Sequence, residues 1–265
     1  MPEGHTIHRL ARQHLTIFGA RPVRVSSPQG RFEAGAALLD GQLLLGGQAH
    51  GKHEFLHFEG DRWLHVHLGL GGSWVFGEGD PPPPRGSVRV RLAGDAGWAD
   101  LRGPTVCAVL AGGQVAAVRA RLGADPLRRD ADPAAAGDRI QRSRLPLGAL
   151  LMQQDIVAGV GNVFRAESLF RAGLDPWRPG RELDGDRWAA LWADLVALLR
   201  DGVRRGRIVT TRREHRSRRG GALLAEDAHY VYRRTGLGCR VCGAPVVAEP
   251  MAGRTLYRCV TCQRG

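Results

Sequence analysis

Lysine is almost missing from this sequence. Lys52 is the only one, so 37 of the 38 basic side chains are arginine. Coding bias accounts for the general trend, since Ala and Gly are abundant too. One consequence is chemical: an aliphatic amine can come only from Lys52 or from the chain's own amino terminus. Long apolar runs are also missing. The best candidate, Trp188 to Leu199, is broken by Asp194 and falls short of the roughly 18 residues a membrane span needs. The opening Met1-Pro2-Glu3-Gly4-His5 has an early acid and no apolar stretch, which argues against a secretory signal. Acidic side chains are the minority, 26 against 38 basic ones, giving a formal charge of +12 and a pI near 10.9. A soluble, cytosolic protein with a polyanionic partner is expected. An apolar fraction of 43% excludes wholesale disorder, and 265 residues allow one large domain or two modest ones.

Cysteine is scarce but ordered. Four of the five fall as Cys239-x2-Cys242 and Cys259-x2-Cys262, with sixteen residues between the pairs. This is zinc-ribbon spacing: two CxxC turns on facing hairpins complete a tetrahedral four-thiolate site for one structural zinc ion. Two disulfides are the competing reading, and a cytosolic chain disfavours them. Cys107, in an apolar stretch, reads as a core residue. The ribbon carries Arg240, Arg254, Arg258 and Arg264, either a phosphate clamp or solvated surface charge.

Hydrophobic periodicity divides the chain. Residues 5 to 15 repeat at helical spacing through Ile7, Leu10, Ala11 and His14/Leu15. From about 22 to 110 the period is two, as in Val23/Val25, Phe55 with His57, Leu64/Val66/Leu68 and Val88/Val90/Leu92. Glycine- and proline-rich breaks separate these runs, which indicates an antiparallel sandwich or barrel. Helices are expected at 147–154, 163–171 and 184–200. Residues 203–221, rich in arginine and glycine, read as a mobile basic loop. The domain boundaries follow: 1–125 for the N-terminal sandwich, 126–146 as a linker, 147–229 for the helical part and 230–265 for the finger.

Three segments could carry chemistry. Ala158-Gly159-Val160-Gly161-Asn162 precedes an apolar-periodic run, so it reads as a turn with Asn162 as helix N-cap and an anion site at the helix start. Removal of Met1 would leave Pro2 with a free secondary amine, which titrates near 8 and is partly neutral at physiological pH. The following helix presents its positive end to that amine, and Glu3 beside it could serve as general acid or base. The plainer reading is that Pro2 and Glu3 simply suit a first helical turn. Lys52, in Gly51-Lys52-His53, sits at a strand end, where a side chain can be directed into a cleft or simply be solvated.

Together these segments resemble the formamidopyrimidine-DNA glycosylase/endonuclease VIII family. The likeness is carried by Pro2-Glu3-Gly4, Gly51-Lys52-His53, His65-Val66-His67-Leu68-Gly69, Gly123-Ala124-Asp125-Pro126, the stretch Gln154 to Arg165, and the ribbon ending Cys259-Val260-Thr261-Cys262-Gln263. Pro2-Glu3-Gly4 is most like the endonuclease VIII branch, and His5 to Ala11 like its actinobacterial members. The resemblance implies an α+β chain of two domains: an N-terminal helix with an antiparallel β-sandwich, then a helix–two-turn–helix domain bearing a C-terminal zinc finger, with damaged double-stranded DNA in the cleft between. It implies a bifunctional glycosylase and abasic-site lyase, monomeric, in the bacterial cytosol, with no small-molecule cofactor. Pro2 would attack C1′ and form an imine, and Glu3 would supply the proton for base loss. Lys52 would assist β-elimination, and Arg254 would bind phosphate and assist δ-elimination. Arg121 and the Gly161-Asn162 turn match positions that contact the DNA backbone.

The chain departs from the family's pattern at two places: the Arg and Phe insertion of the formamidopyrimidine branch has no clear counterpart, Leu101-Arg102-Gly103-Pro104 being the nearest segment, and the loop after His67 differs. Endonuclease VIII enzymes are similar to one another in a Gln-Leu-Tyr triplet after the residue matching His67; here Gly69-Leu70-Gly71 stands, which leaves Leu70 as the wedge. Removal of oxidised pyrimidines is the expectation. An 8-oxoguanine-preferring glycosylase of the same family, or a non-catalytic zinc-ribbon DNA-binding protein, are the alternatives.

Overall fold

The computed structural model describes residues 2–217 and 222–264. The chain forms two compact units, 1–121 and 122–265. In the first, helix α1 (Gly4–Phe18) buries Ile7, Ala11, His14 and Phe18 on one face. Strands β1 (Pro22–Ser26), β2 (Gln42–His50), β3 (His53–Phe58), β4 (Arg62–His67), β5 (Ser73–Gly77), β6 (Val88–Gly94), β7 (Gly97–Arg102) and β8 (Val106–Leu110) pair antiparallel in the order β5-β7-β6-β1-β2-β3-β4-β8. β1 and β2 pair over only two positions, so the sheet divides there into two four-stranded halves, the expected sandwich. Helices α2 (Glu33–Leu39) and α3 (Gly112–Arg119) complete the unit.

The period-two reading fits β1, whose Val23 and Val25 are buried between exposed neighbours. It fails on β3, which is apolar on both faces: Leu56 and Phe58 join the core, while Phe55 stacks on His65 at 4.8 Å. Polar groups also enter the interior. Glu54 accepts from Trp74 Nε1 at 2.8 Å and lies 2.9 Å from His14 Nδ1, tying β3 to α1 and β5. Arg91 on β6 forks onto Asp100, its partner across β7, at 2.7 and 2.9 Å.

The second unit holds α4 (Pro133–Gln141), α5 (Leu147–Leu150), α6 (Asn162–Arg171) and α7 (Gly185–Arg205), then the hairpin β9 (Val247–Met251) and β10 (Arg254–Arg258). Its core gathers Ile140, Leu150, Val157, Phe164, Leu169, Leu191, Leu195 and Leu199. Three expectations need correction here. Within 126–146 the chain folds as α4, capped by Asp132 and packed through Ala136 and Ile140. The helix expected at 147–154 is a single turn, because Gln154 instead organises the loop after it. Its amide donates to Met152 O and Val160 O and accepts from Gly159 N. Within the basic stretch 203–221, the described part 203–217 is mostly exposed but is pinned at two places. Val203 to Arg205 end α7 at a left-handed Gly206, and Val209, Thr210 and Thr211 are buried. Thr210 N and Thr211 Oγ1 donate to Ala228 O and Asp227 O. Residues 218–221 of that stretch lie outside the described residues.

Candidate active site and nucleic-acid-binding residues

In the first unit, Pro2 and Glu3 precede the helix rather than filling its first turn. Glu3 is the N-cap by backbone geometry and its side chain is fully buried, with the Thr6 and Ile7 amides donating to its carbonyl. A carboxylate removed from water beside the chain's first residues is the setting in which a general acid operates. His5 follows, and burial lowers its pKa to about 4, with the Arg9 charge adding to the effect. It is therefore neutral at physiological pH.

Lys52 lies half-buried in the two-residue loop between the paired His50 and His53. Gly51, at φ +58°, takes the first loop position, which a type II′ turn reserves for glycine. A histidine cluster borders the lysine. His53 Nδ1 lies 2.9 Å from His65 Nε2, and the His53 and His67 rings are 4.7 Å apart. Burial lowers the pKa of His53 to about 3 and that of His65 to about 4, with neighbouring histidines reinforcing both. Burial also lowers His67, and the Lys52 charge acts in the same direction; Arg121 bears on His53 in the same way. Lys52 and Arg121 thus each bear on a cluster of imidazoles that burial keeps uncharged at physiological pH.

After β4 the chain turns sharply. Gly69 N donates to His67 Nδ1 at 3.2 Å, and Gly69 sits at φ +66°, where a Cβ would fall 1.9 Å from Thr105 Oγ1. The turn leaves Leu70 59% exposed, an apolar side chain with nothing of its own unit to cover it.

In the second unit the four cysteine sulfurs lie within 4.8 Å of one another. Cys239–Cys262 and Cys242–Cys259 are 3.8 and 3.5 Å apart. Tetrahedral Zn–S bonds of about 2.3 Å require sulfurs about 3.8 Å apart, so the set fits such an ion. Disulfide sulfurs would be about 2.05 Å apart.

Asn162 is not the N-cap. Gly161 takes that place, and Asn162 is the first helical residue, buried. The reason is Arg165, one turn later and fully buried, whose guanidinium needs acceptors. It donates to Asn162 Oδ1 and to the carbonyls of Met251 and Thr255, while Asn162 Nδ2 donates to Thr255 O at 2.9 Å. The start of α6 is thereby fastened to the β9–β10 hairpin. Ala252 and Gly253, both at positive φ, form its tight turn and place Arg254 on the surface.

The four ribbon arginines do not form one clamp. Arg240 is held by Asp227 at 2.8 Å, and Arg258 by Glu249 at 2.7 Å and Asp175 at 3.4 Å. Arg264 lines a cavity at the other end of α6. Arg254 alone is exposed at the hairpin, with no ion-pair partner among the described residues. Sequence reasoning passed over Glu167, fully buried on α6. It accepts from the amides of Tyr230, Val231 and Tyr232 at 2.7–2.8 Å and from Thr210 Oγ1. The available signal was a pair of opposite charges, Arg165 and Glu167, set among Val163, Phe164, Ala166 and Leu169.

Comparison with known proteins agrees with this organisation. The family model of the formamidopyrimidine-DNA glycosylase N-terminal domain matches residues 1–107, and that of the formamidopyrimidine-DNA glycosylase H2TH domain matches 122–214. Endonuclease 8 1 of Mycobacterium tuberculosis is 49% identical over 267 residues, covering 99% of this chain and 100% of the relative. The formamidopyrimidine-DNA glycosylase of Thermus thermophilus is 32% identical over 268 residues, 99% of this chain and 97% of the relative. Among solved structures, the MutM (Fpg) protein of Thermus thermophilus matches with a TM-score of 0.79 at 28% identity, over 99% of this chain and 98% of its own. Lactococcus lactis Fpg, solved with DNA containing N7-benzyl-Fapy-dG, shares the fold at a TM-score of 0.83 and 22% identity, with full coverage of both chains. The chain belongs to the formamidopyrimidine-DNA glycosylase/endonuclease VIII family, whose members are DNA glycosylases and abasic-site lyases.

Proposed function

We propose that this protein excises oxidised bases, pyrimidines foremost, from double-stranded DNA and then cleaves the strand, with the Pro2 amine as nucleophile once Met1 is removed. The observation that carries this reading is the pairing of a fully buried Glu3 with Pro2 at the start of α1, in a chain whose only other aliphatic amine is Lys52. As the Pro2 nitrogen bonds to C1′, the bond from C1′ to the base breaks, and Glu3 provides the proton that base loss requires. The Pro2 nitrogen then gives up its proton and its lone pair expels O4′ from C1′, O4′ taking up a proton as the sugar opens; the resulting iminium acidifies the C2′ proton. Loss of that proton expels the 3′ phosphate, and a second elimination expels the 5′ phosphate. Lys52 is the proton carrier of the first elimination. Arg254, without a counter-ion among the described residues, holds a backbone phosphate and assists the second. Asn162, committed to Arg165 and Thr255, serves this surface by fixing the strand next to Arg254. Leu70 is the wedge that fills the gap left by the extruded base, whose unstacking costs a few kcal/mol. Cys239, Cys242, Cys259 and Cys262 would hold one zinc ion, which keeps the ribbon folded.

The preference for pyrimidines rests on the 49% identity to Endonuclease 8 1 of Mycobacterium tuberculosis and on Pro2-Glu3-Gly4. Preference for 8-oxoguanine is the second reading, favoured by the relatives named formamidopyrimidine-DNA glycosylase. Borohydride trapping on an abasic duplex, followed by peptide mapping, tests the nucleophile. The crosslink is expected at Pro2, should persist in Lys52→Ala, and should vanish when the chain is extended ahead of Pro2. A crosslink at Lys52, or activity with a blocked amino terminus, would overturn the assignment. Parallel cleavage of duplexes carrying thymine glycol or 8-oxoguanine separates the two substrate readings.

A further inference from the structure

At the C-terminal end of α6 the second unit opens a cavity of about 400 Å³ that the proposed chemistry does not use. Arg171, Arg187, Arg212 and Arg264 line it, with Asp194 as the one acid. That acid is already matched: Arg171 forks onto it at 2.5–3.1 Å and also donates to Thr210 O at 2.7 Å. Arg187 is held only at the surface, 3.4 Å from Asp184. The exposed guanidinium groups of Arg212 and Arg264 have no partner among the described residues. An adjoining cavity of about 220 Å³ shares Arg171 and Arg212 and adds Phe170, Tyr230 and the exposed Val241, with His215 and Cys262 also on its wall.

We infer that this paired cavity docks an acidic peptide segment of a partner protein, its carboxylates meeting Arg212 and Arg264 and an apolar side chain resting on Phe170 and Val241. Charge complementarity selects an anion, since the Arg212 and Arg264 guanidinium groups stay unmatched among the described residues once Arg171 is paired with Asp194 and Arg187 with Asp184. Shape selects a peptide over a nucleic-acid strand. A strand offers evenly spaced phosphates and needs an extended basic track, whereas here the arginines ring a concavity with an apolar side. Guanidinium groups fork naturally onto carboxylates, as Arg171 already does with Asp194. The site also lies about 14 Å along α6 from Asn162, the end fastened to the Arg254 hairpin. A peptide seated there would leave that hairpin open.

The test uses the full-length, metal-loaded protein and a fluorescein-labelled peptide, Asp-Asp-Asp-Asp-Leu-Phe with a free C-terminus, followed by anisotropy at physiological salt. Saturable binding is expected, weakened roughly tenfold in the Arg212→Ala/Arg264→Ala variant. That variant should cleave an abasic duplex at the parental rate, and a saturating duplex should leave the peptide bound. The inference fails on any of four results: no saturable binding, unchanged affinity in the variant, equal binding of the peptide with Asn for every Asp, or displacement by the duplex. The last result would assign these arginines to the nucleic-acid surface.

Discussion

Glu167 offers the sharpest test of what holds the second unit together. Its two oxygens are saturated in a specific way. Oε1 accepts from the amides of Val231 and Tyr232, and Oε2 from the Tyr230 amide and the Thr210 hydroxyl. Glu167→Gln preserves the volume but supplies only one acceptor oxygen. If the amide oxygen takes the Oε1 place, its NH2 group faces the Tyr230 N–H, donor against donor. Thr210 can turn its hydroxyl, since Ala228 O is a second acceptor at 3.2 Å. The flipped amide is worse, because it leaves two backbone donors facing the NH2.

At least one fully buried N–H is therefore orphaned, at a cost of about 1–3 kcal/mol, and two surviving bonds lose their charge assistance at about 1 kcal/mol each. The sum is roughly 3–5 kcal/mol, a large share of the 5–15 kcal/mol typical of a folded domain. At about 2–4 °C per kcal/mol, the melting temperature of this unit should fall by roughly 6–20 °C. Calorimetry of the purified variant, with hydrogen exchange at the amides of Tyr230 to Tyr232, measures both the energy and its location. A loss under about 1 kcal/mol, or unchanged protection of those three amides, would show that the carboxylate is not their anchor.

The ribbon should depend on its metal: Cys259→Ser is expected to lose zinc by elemental analysis and to weaken DNA binding, with the N-terminal unit still folded by its near-UV spectrum. Arg254→Ala should reduce the slope of log affinity against log salt by about one, as one phosphate contact disappears, and an unchanged slope would remove Arg254 from the interface. Acid should destabilise the first unit. Its His5, His53 and His65 titrate near 4, 3 and 4 when folded but near 6.5 when unfolded, so the unfolded chain takes up more protons as pH falls below 6.5. Stability should be flat above about pH 7 and drop between pH 6.5 and 4, by at most about 4 kcal/mol per pH unit for three sites. A urea midpoint equal at pH 7 and pH 5 would contradict the burial of these rings.

Much of this fold was legible because its signals are local. Val23 and Val25 alternate on β1, Ile7 and Ala11 recur on α1, and the two CxxC pairs announce their own convergence. What escaped is non-local. His14, Glu54 and Trp74 are separated by 40 and 20 residues, and nothing in the local periodicity shows that they meet in the core. Nothing in the periodicity of 203–221 shows that Thr210 and Thr211 are claimed by Ala228 and Asp227.

The candidate site follows the same rule, and the one misread residue shows why. Asn162 after a glycine turn is a good N-cap by local propensity, and an isolated peptide would use it so. Local propensity loses here because Arg165 is wholly buried one turn later, and a buried guanidinium without acceptors costs more than a missing cap, which is worth about 1 kcal/mol. The asparagine is drawn inward to satisfy it, and its remaining donor is spent on Thr255. A sequence motif that looks like an anion hole is thus first a bracket holding the Arg254 hairpin. Arg165→Met, similar in length and apolar, separates the two roles. Without the buried charge, Asn162 regains its freedom to cap, and the strand beside Arg254 loses three of its tethers. If the bracket matters, phosphate binding at Arg254 should weaken in this variant although Arg254 and Asn162 are both intact, and an unchanged salt slope would mean that the hairpin holds its place without them.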